Sequence, residues 1–418
     1  MLNLTSSVIL FATLAATASA AEPPSSWVDP DTGHRIVRLS QEPGSASLYF
    51  NQNGYSSNGH ILVYTTRDGI SVMDLEKREA KQVVKGRVRL IDAGRKNQRV
   101  YYTKDGAAWW TDINSGESHQ IGSLPARGSI STVNSDETLL AGTYIEGTAG
   151  ADYGGARAQP PLSTAQAQAH PLDQPRNKGQ MIEERWASRL PMGLYTMNTK
   201  TGEVKTIHRA NDWLNHLLFS PTDPNLLMFC HEGPWHKVDR IWTIRTDTSA
   251  VTKVHTRTVE MEIFGHEFWG ADGKTIWYDL QTPRGEDFWV AGYRVEDGHR
   301  VRYHLQRNEW SIHFNVSNDG KLFCGDGGDP GQVAHAPDGE WLYLFRPRLN
   351  PDKGLPDNNL IQSGVFEPEK LVNMAKHQYR LEPNVSFTPD RKWVVFRSNM
   401  FGETYVFAAE VAKAASAQ

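Results

Sequence analysis

Short apolar runs separated by polar turns recur along most of this 418-residue chain. Each turn contains Gly, Asp or Asn and precedes a β-rich run, a pattern typical of antiparallel strands. The most regular copies are SSNGHILVYTT, AGRKNQRVYYT, NSDETLLAGT, SPTDPNLLMFC, GADGKTIWYDL, SNDGKLFCGD, APDGEWLYLF and TPDRKWVVFRS. Most consecutive turns lie about 40 to 50 residues apart, which is the period of four-stranded propeller blades.

The turns at Asp319 and Asp338 are too closely spaced to belong to two blades. We assign them to one enlarged blade, which leaves about seven blades. The pattern contains no convincing long amphipathic helix. The sequence therefore predicts an all-β fold, a seven-bladed β-propeller, rather than a sandwich or a parallel sheet. We expect the first and last strands to close one blade together.

Two segments depart from the repeat. The N-terminus, MLNLTSSVILFATLAATASA, has an apolar centre and ends in small residues. It predicts a signal peptide at residues 1–20, a single propeller domain at 21–418, and export to the periplasm or secretion. The second segment, at about 149–190, begins with an Ala-, Gly-, Pro- and Gln-rich loop. It ends in QMIEERWASRL, which predicts a short helix with Met181, Trp186 and Leu190 on one side. The insertion is interpreted either as a lid over a binding face or as a surface excursion.

Composition narrows the classes of partner. With 39% apolar and 22% charged residues the chain is ordinarily globular, and its net charge of -4 shows no bias towards nucleic acid or an anionic membrane. No run after the N-terminus approaches the ~20 apolar residues of a membrane helix. The two cysteines, Cys230 and Cys324, lie in apolar strands, where either buried thiols or a disulfide would fit. The sequence does not indicate an oligomeric state.

Histidines occupy recurrent places relative to the predicted blades. They lie just before a blade's turn or at the end of the next strand, at His216, His231, His266, His313 and His377. Because equivalent positions of successive blades meet around one channel, we expect these imidazoles to converge. Imidazole mixed with carboxylate and amide oxygens suits Mn, Zn or Fe. A lone histidine in a β protein is more often a hydrogen-bonded turn or core residue, and HExxH is absent, so the residues alone indicate a metal only weakly.

The densest polar group is FCHEGPWHKVDRIW, from Phe229 to Trp242. It combines His231, Glu232, His236, Asp239 and Arg240 with two tryptophans. Trp235 and Trp269 each lie beside a histidine motif and are the aromatic candidates for sugar stacking, whereas most other aromatic residues are assigned to packing between blades. GDGGDPGQ lacks the Lys-Ser/Thr of a phosphate loop and is interpreted as a turn, and GxSxG is absent.

The motifs FCHEGPW, GHEFW, DGKLFCGDGGD and PNVSFTPD with RSNMFG resemble those of the oligogalacturonate lyase family. The resemblance runs from LYFNQNGYSSNGHILVYTT to the final strand and is most specific from His216 onward. It implies a seven-bladed propeller that cleaves short pectin-derived oligogalacturonides by β-elimination with a manganese-type divalent ion. The implied partner is a small oligosaccharide.

The resemblance also implies roles for individual residues. His231 would be the catalytic base and His266 a metal ligand. Charge and neighbourhood alone, rather than the resemblance, suggest Arg240, as a catalytic residue, or Arg380 for holding substrate carboxylates. The remaining predicted substrate-binding residues are His216, Trp235, His236 and Trp269.

The last blade departs from the family pattern. Where the family has a Gln and a His-Pro-His, this chain reads YRLEPN, so the ligand positions fall on Tyr379, Glu382 and Asn384. We predict manganese as the ion and His266, His313, Glu382 and Asn384 as its ligands, with His377 as a further source of imidazole. Oxygen ligands suit manganese or calcium. The departure leaves the preferred uronate open.

Two other functions remain compatible with the sequence. One is a non-catalytic propeller that binds sugars or a protein. The other is a glycoside hydrolase, which needs two carboxylates across the scissile bond, and Glu232, Glu267 and Asp279 are available. Only a lyase would leave an unsaturated uronate.

Overall fold

The computed structural model describes residues 22–147, 178–328 and 340–414, apart from positions 353, 355, 356 and 358. The predicted signal peptide and the loop half of the insertion lie outside these residues. Within them, strands predominate, and no helix is long and apolar enough to cross a bilayer.

The strands form seven antiparallel blades, numbered here in chain order. Strands β1 (Ser26–Val28) and β2 (His34–Arg38) come first and join the last blade. Blade 1 contains β3 (Ala46–Ser47), β4 (Ile61–Thr66), β5 (Gly69–Asp74) and β6 (Glu79–Lys85). Blade 2 contains β7 (Arg89–Ala93), β8 (Arg99–Lys104), β9 (Ala107–Asp112) and β10 (Ser118–Ser123). Blade 3 contains β11 (Gly128–Val133), β12 (Leu139–Ile145), β13 (Met192–Asn198) and β14 (Val204–Ala210).

The second half of the chain completes the ring. Blade 4 contains β15 (Trp213–Phe219), β16 (Leu226–Glu232), β17 (Ile241–Arg245) and β18 (Val251–Lys253). Blade 5 contains β19 (Ile263–Trp269), β20 (Thr275–Gln281), β21 (Phe288–Arg294) and β22 (Arg300–Leu305), followed by a 3-10 turn at Arg307–Glu309. Blade 6 contains β23 (Phe314–Val316), β24 (Phe323–Gly325), β25 (Trp341–Leu349) and β26 (Gln362–Asn373). Blade 7 contains β27 (Ser386–Phe387), β28 (Trp393–Phe401), β29 (Glu403–Lys413) and the early strand β2.

The predicted seven-bladed propeller is confirmed, and the turn repeat explains it. Seven of the eight turn copies lead into the second strand of a blade, namely β4, β8, β12, β16, β20, β24 and β28. The eighth copy precedes β25, and its residues 336–339 lie outside the described ranges. The strands that follow the two closely spaced copies, β24 and β25, belong to one blade, as predicted. Blades 5 and 6 are also joined, because β22 pairs in parallel with β26.

The first strands of the blades face the central channel, and the fourth strands of blades 1, 2 and 3 face solvent. First strands of neighbouring blades contact one another, as β7 does β11 and β11 does β15. The fourth strands β6, β10 and β14 are largely exposed. Apolar side chains fill the space between blades, including the fully buried Phe268, Phe288 and Phe314. Burying one such side chain stabilises the fold by about 1.5–3 kcal/mol.

Helix α1 (Lys178–Ala187) confirms the short helix predicted in the insertion. Its apolar side was predicted only in part, because Met181 is 55% exposed. Trp186 instead packs on Gly233, where an added Cβ would lie 2.8 Å from the indole. The Lys237 ammonium also pairs with Glu183 at 2.5 Å. The helix therefore lies against the loop that follows β16.

Strand β2 closes the ring, as the sequence predicted, through pairing with β29. Ile36 lies opposite Ala409 and is fully buried. We expect Ile36→Ala to lower the free energy of unfolding by about 2–5 kcal/mol because it leaves a cavity where the ring closes. The matched control is Val28→Ala on β1, where the side chain is 49% exposed. Urea unfolding of both variants tests this, and equal losses would contradict the closure role of β2.

Candidate active site

Two inner strands, and the segment just before a third, carry a residue with left-handed backbone at the same end of the channel, here called the channel mouth. His216 has φ 48°, His266 φ 45° and Asn384 φ 54°. The two histidines lie in β-bulges of β15 and β19. Such backbone is costly for residues other than glycine and is concentrated at functional sites. The strained positions direct side chains from blades 4, 5 and 7 towards the channel mouth.

His266 is held in a defined orientation. Its Nδ1 lies 3.3 Å from Oδ2 of Asp279, a buried carboxylate on β20. The ring meets the His313 ring edge-on at 4.7 Å and the Trp235 ring at 5.0 Å. Its Nε2 makes no hydrogen bond with any residue in the described ranges. A carboxylate at Nδ1 fixes the tautomer in which Nε2 accepts a proton.

His313 lies at the centre of a second group of polar side chains. Its Nδ1 donates to Asp326 Oδ2 at 2.7 Å, and its backbone N–H donates to Oδ1 at 2.8 Å. The Tyr49 hydroxyl donates to Nε2 at 3.0 Å, and Glu382 Oε2 lies 3.9 Å from the same nitrogen. Burial, and then the charge of Glu382, raise the pKa of Tyr49 well above its usual value. The phenol therefore remains a neutral donor.

Asn384 and Glu382 complete this group from blade 7. The Asn384 backbone N–H donates to Asp326 Oδ2 at 3.3 Å. Its side-chain Oδ1 is buried and has no hydrogen-bond partner within the described residues. Arg397 donates from Nε to the Glu382 carbonyl at 2.8 Å, and burial lowers the pKa of its guanidinium, a shift that Glu382 opposes.

These donors fit a divalent cation. An imidazole backed by a carboxylate, a second carboxylate and an orphaned amide oxygen are donors that manganese accepts. The residues are His313, Glu382 and Asn384. A buried polar atom without a partner is the feature expected where an ion belongs.

A buried ion cluster lies beside His266. Arg240, whose side chain is 1% exposed, pairs with Glu232 Oε1, and its Nη2 lies 3.6 Å from Glu267 Oε2. His216 Nε2 contacts Glu232 Oε2 at 3.2 Å. Burial alone would raise the pKa of Glu232, but Arg240 and His216 outweigh it and hold that pKa well below its usual range. The Trp235 ring covers the guanidinium of Arg240 at 4.5 Å.

The same cluster contains a second group of potential metal ligands. Donor atoms of His216, Cys230 and Glu232 lie within 4.8 Å of one another. However, burial raises the pKa of the Cys230 thiol, which keeps it protonated, and Glu232 is already paired with Arg240. A protonated thiol is a poor ligand. The group around His313 is therefore the better cation site.

The structure does not bring His231 into this site, contrary to the sequence-based assignment. His231 and Glu232 are neighbours on β16, so they face opposite sides of the blade. His231 Nδ1 lies 3.2 Å from Asp212 Oδ2, and its ring lies 5.4 Å from the Trp242 ring. Burial lowers its pKa, an effect that Asp212 opposes. Glu232, rather than His231, points towards His216 and Arg240.

The other predicted substrate contacts lie in different surroundings. Arg240 is too buried to meet solvent, because it is enclosed by carboxylates and Trp235. Arg380 is exposed, and His236 is half-buried without a described contact to His266 or His313. Trp269 is 8% exposed and donates from Nε1 to the Leu218 carbonyl at 3.0 Å, so it packs between blades.

Other predicted residues take different places. Trp235 does lie at the site, against His266 and Arg240. His377 is held by other partners: its Nε2 donates to the Leu381 carbonyl and so offers no lone pair to a cation, its Nδ1 contacts the Ser398 hydroxyl, and burial lowers its pKa to about 4. Tyr379 supports the cation site indirectly, since its hydroxyl donates to the Asp326 carbonyl at 2.9 Å.

The sequence prediction missed Tyr49, Asp326 and Arg397 at the site. Asp326 follows β24 within the motif that was interpreted as a turn. Because β23 and β24 are adjacent antiparallel strands, Asp326 lies opposite His313, and this pairing is the signal that could have identified it. Arg397 lies in the RSNMFG motif. Tyr49 precedes blade 1's second strand and has no sequence signature that distinguishes it from a packing aromatic residue.

Comparison with known proteins places the chain in a family. A family model described as oligogalacturonate lyase matches residues 173–415, more than half of the chain. The chain belongs to the oligogalacturonate lyase family. Two curated relatives are an oligogalacturonide lyase from Pectobacterium atrosepticum, 31% identical over 229 residues, and an oligogalacturonate lyase from Dickeya dadantii, 30% identical over 226 residues. Each match covers 52% of this chain and 55% of the relative, so the matched part spans about half of either protein.

Solved structures of oligogalacturonate lyases share the fold over most of the chain. One, in complex with manganese, has a TM-score of 0.68 at 24% identity and covers 93% of this chain and 96% of its own. Another, from Vibrio parahaemolyticus, has a TM-score of 0.72 at 22% identity with the same coverage. At these identities the likeness concerns the propeller fold alone.

The three carboxylates considered for a hydrolase already have partners within the protein. Glu232 and Glu267 flank Arg240, and Asp279 faces His266. All three are buried. None is presented to the channel as one of a pair across a sugar bond, so the geometry does not favour glycoside hydrolysis.

The buried ion cluster predicts a pH-dependent stability difference. Arg240→Met leaves two carboxylates buried without their cation and should cost about 3–5 kcal/mol at neutral pH. Since Glu232 has a lowered pKa, its pairing stabilises the wild type above the unfolded pKa and is lost as pH falls. In the variant, unpaired buried carboxylates take up protons at higher pH. The difference in the free energy of unfolding between wild type and variant should therefore become smaller on acidification to about pH 5.

Urea unfolding at both pH values measures this effect. The control is Arg245→Met, whose exposed pairs with Asp223 and Asp247 should contribute about 1 kcal/mol or less. A difference in the free energy of unfolding between wild type and Arg240→Met that is the same at both pH values would contradict the assigned ion cluster.

Proposed function

We propose that this protein is a lyase that cleaves short oligogalacturonides by β-elimination, leaving a 4,5-unsaturated uronate. The observation that carries the proposal is His266, an imidazole oriented by Asp279 at the channel mouth next to a set of cation ligands. Membership of the oligogalacturonate lyase family and the names of the two matched relatives support it.

The cofactor we propose is a divalent metal, manganese, held by His313, Glu382 and Asn384. When bound, it would neutralise the substrate carboxylate and so acidify the adjacent C5 proton. Asp326 orients His313 through two hydrogen bonds. Glu382 and Asn384 stand where the family pattern has histidines, and their oxygens suit this ion.

The structure supports His266, rather than His231, as the base in this proposal. Its Nε2 accepts the C5 proton, while Asp279 holds Nδ1 and stabilises the imidazolium that forms. The electrons of the C5–H bond form the C4–C5 double bond, and the bond between C4 and the glycosidic oxygen breaks. Trp235 lies edge-on to His266 and provides an apolar wall for the sugar ring.

The two histidine assignments can be separated directly. His266→Ala should lower kcat/KM for trigalacturonate by about 10²–10⁴-fold because it removes the base. His231→Ala should retain activity within about tenfold, since its ring lies against Trp242 and Asp212 and on the opposite face of β16 from Glu232. The measurement is ultraviolet absorbance of the conjugated product, with circular dichroism to verify the fold. Loss of activity in His231→Ala together with retention in His266→Ala would restore the earlier assignment.

The cation site has its own test, independent of turnover. Asp326→Asn removes the charge that supports His313 and should weaken manganese binding by about 10–100-fold. Isothermal titration of the metal-free protein with manganese measures this without substrate. The control is Asp287→Asn, which alters a comparable carboxylate–imidazole contact with His304 near the outer strand. Equal affinities of wild type and Asp326→Asn would place the metal elsewhere.

A further inference from the structure

We propose that His216 is a second catalytic residue, which donates a proton to the glycosidic oxygen as it leaves C4. This role rests on the proposed β-elimination. An alkoxide is a poor leaving group, so a proton supplied during bond cleavage lowers the barrier. His266 accepts a proton in the same step and cannot supply this one.

The fold places His216 next to His266 in the ring of blades. Both residues lie in a bulge of an inner strand with left-handed backbone, one on β15 of blade 4 and the other on β19 of blade 5. Glu267, the residue after His266, reaches back to within 4.0 Å of His216 Nδ1. The His216 side chain is 27% exposed, so it is accessible from the channel mouth.

The groups that face His216 are acidic. They are Glu232 and Glu267, which share one cation, Arg240. Two carboxylates beside one guanidinium form surroundings that suit a proton-donating side chain. Cys230 also borders this group, but its thiol is neutral because burial raises the thiol pKa.

The two ring nitrogens of His216 have different partners. Nε2 lies 3.2 Å from Glu232 Oε2, a hydrogen-bonding distance that fixes the ring. Nδ1 is 4.0 Å from Glu267 Oε1, which is too far for a hydrogen bond. The Nδ1 proton is therefore the one available to a substrate oxygen.

The step balances with these two imidazoles. His266 Nε2 gains the C5 proton, the C5–H electron pair becomes the C4–C5 double bond, and the C4–O4 electron pair leaves with O4. O4 takes the proton from His216 Nδ1, which yields the free hydroxyl of the shortened saccharide. His266 then releases a proton to water and His216 regains one, so the enzyme returns to its starting state.

Other donors near the channel are less suitable. Arg240 is 1% exposed, and Trp235 covers its guanidinium. The Tyr49 hydroxyl is already donated to His313 Nε2. Within the described ranges, His216 is the partly exposed histidine on the inner strand of a blade adjacent to that of His266.

The test compares leaving groups that do and do not need a proton. His216→Gln is assayed on digalacturonate and on a galacturonide whose C4 oxygen is part of a 4-nitrophenyl ether, so that the leaving group is 4-nitrophenolate. We expect a loss in kcat/KM of about 10²-fold or more on digalacturonate and less than about tenfold on the aryl ether, because nitrophenolate leaves without protonation. His266→Ala should lose activity on both substrates. The matched control is His304→Gln on outer strand β22, which should leave both rates unchanged.

The outcomes separate the two proposals. Equal losses on both substrates would show that His216 only supports the ion cluster and would overturn the donor role. If the wild-type protein eliminates neither digalacturonate nor the aryl ether, the proposed function is overturned instead. If His216→Gln fails to fold, the wild-type pH profile decides the question. An alkaline fall in kcat present with digalacturonate and absent with the aryl ether supports an acid donor, and identical profiles contradict it.

Discussion

Arg240 joins two buried carboxylates from neighbouring blades, Glu232 of β16 and Glu267 of β19. Removing three charged groups from water costs several kcal/mol per ion, and only close pairing repays it. The geometry of this cluster is therefore narrowly defined. It fixes how blades 4 and 5 meet at the channel mouth. The Trp235 ring, packed on the same guanidinium and on His266, is fixed with it.

The bulges in the inner strands allow the cluster and the candidate base to coexist. In a regular strand, consecutive residues point to opposite faces. At the bulge in β19, His266 adopts left-handed backbone and lies against His313, while Glu267 remains buried beside Arg240. One short segment thus contributes both a buried structural charge and an imidazole at the channel. The corresponding bulge in β15 holds His216, also with left-handed backbone.

The sequence predicted the architecture well because its signal is repeated. Turns that contain Gly, Asp or Asn precede the second strand of every blade, and a β-rich apolar run follows each one. Convergence of His216, His266 and His313 followed from equivalence of blade positions. His231 was expected at the channel mouth, but it lies on the opposite face of β16 from Glu232, because a shift of one residue along a strand reverses the face and sequence spacing does not reveal where a bulge falls. Trp269 was misplaced for a related reason, since its indole turns into the space between blades to reach Leu218. Arg397 and Tyr49 reach the site from segments distant in sequence, which no local pattern signals.

We propose that the residues at this channel mouth break a uronate linkage by elimination. The most direct measurement is mass spectrometry of the products formed from trigalacturonate, with manganese, in water enriched in heavy oxygen. Elimination predicts one saturated product and one lighter by a water molecule, with no heavy oxygen incorporated during bond cleavage. Heavy oxygen at the new reducing end, beyond exchange in a control with the saturated product, would show hydrolysis and contradict the account. An unchanged trisaccharide would contradict cleavage of this substrate altogether.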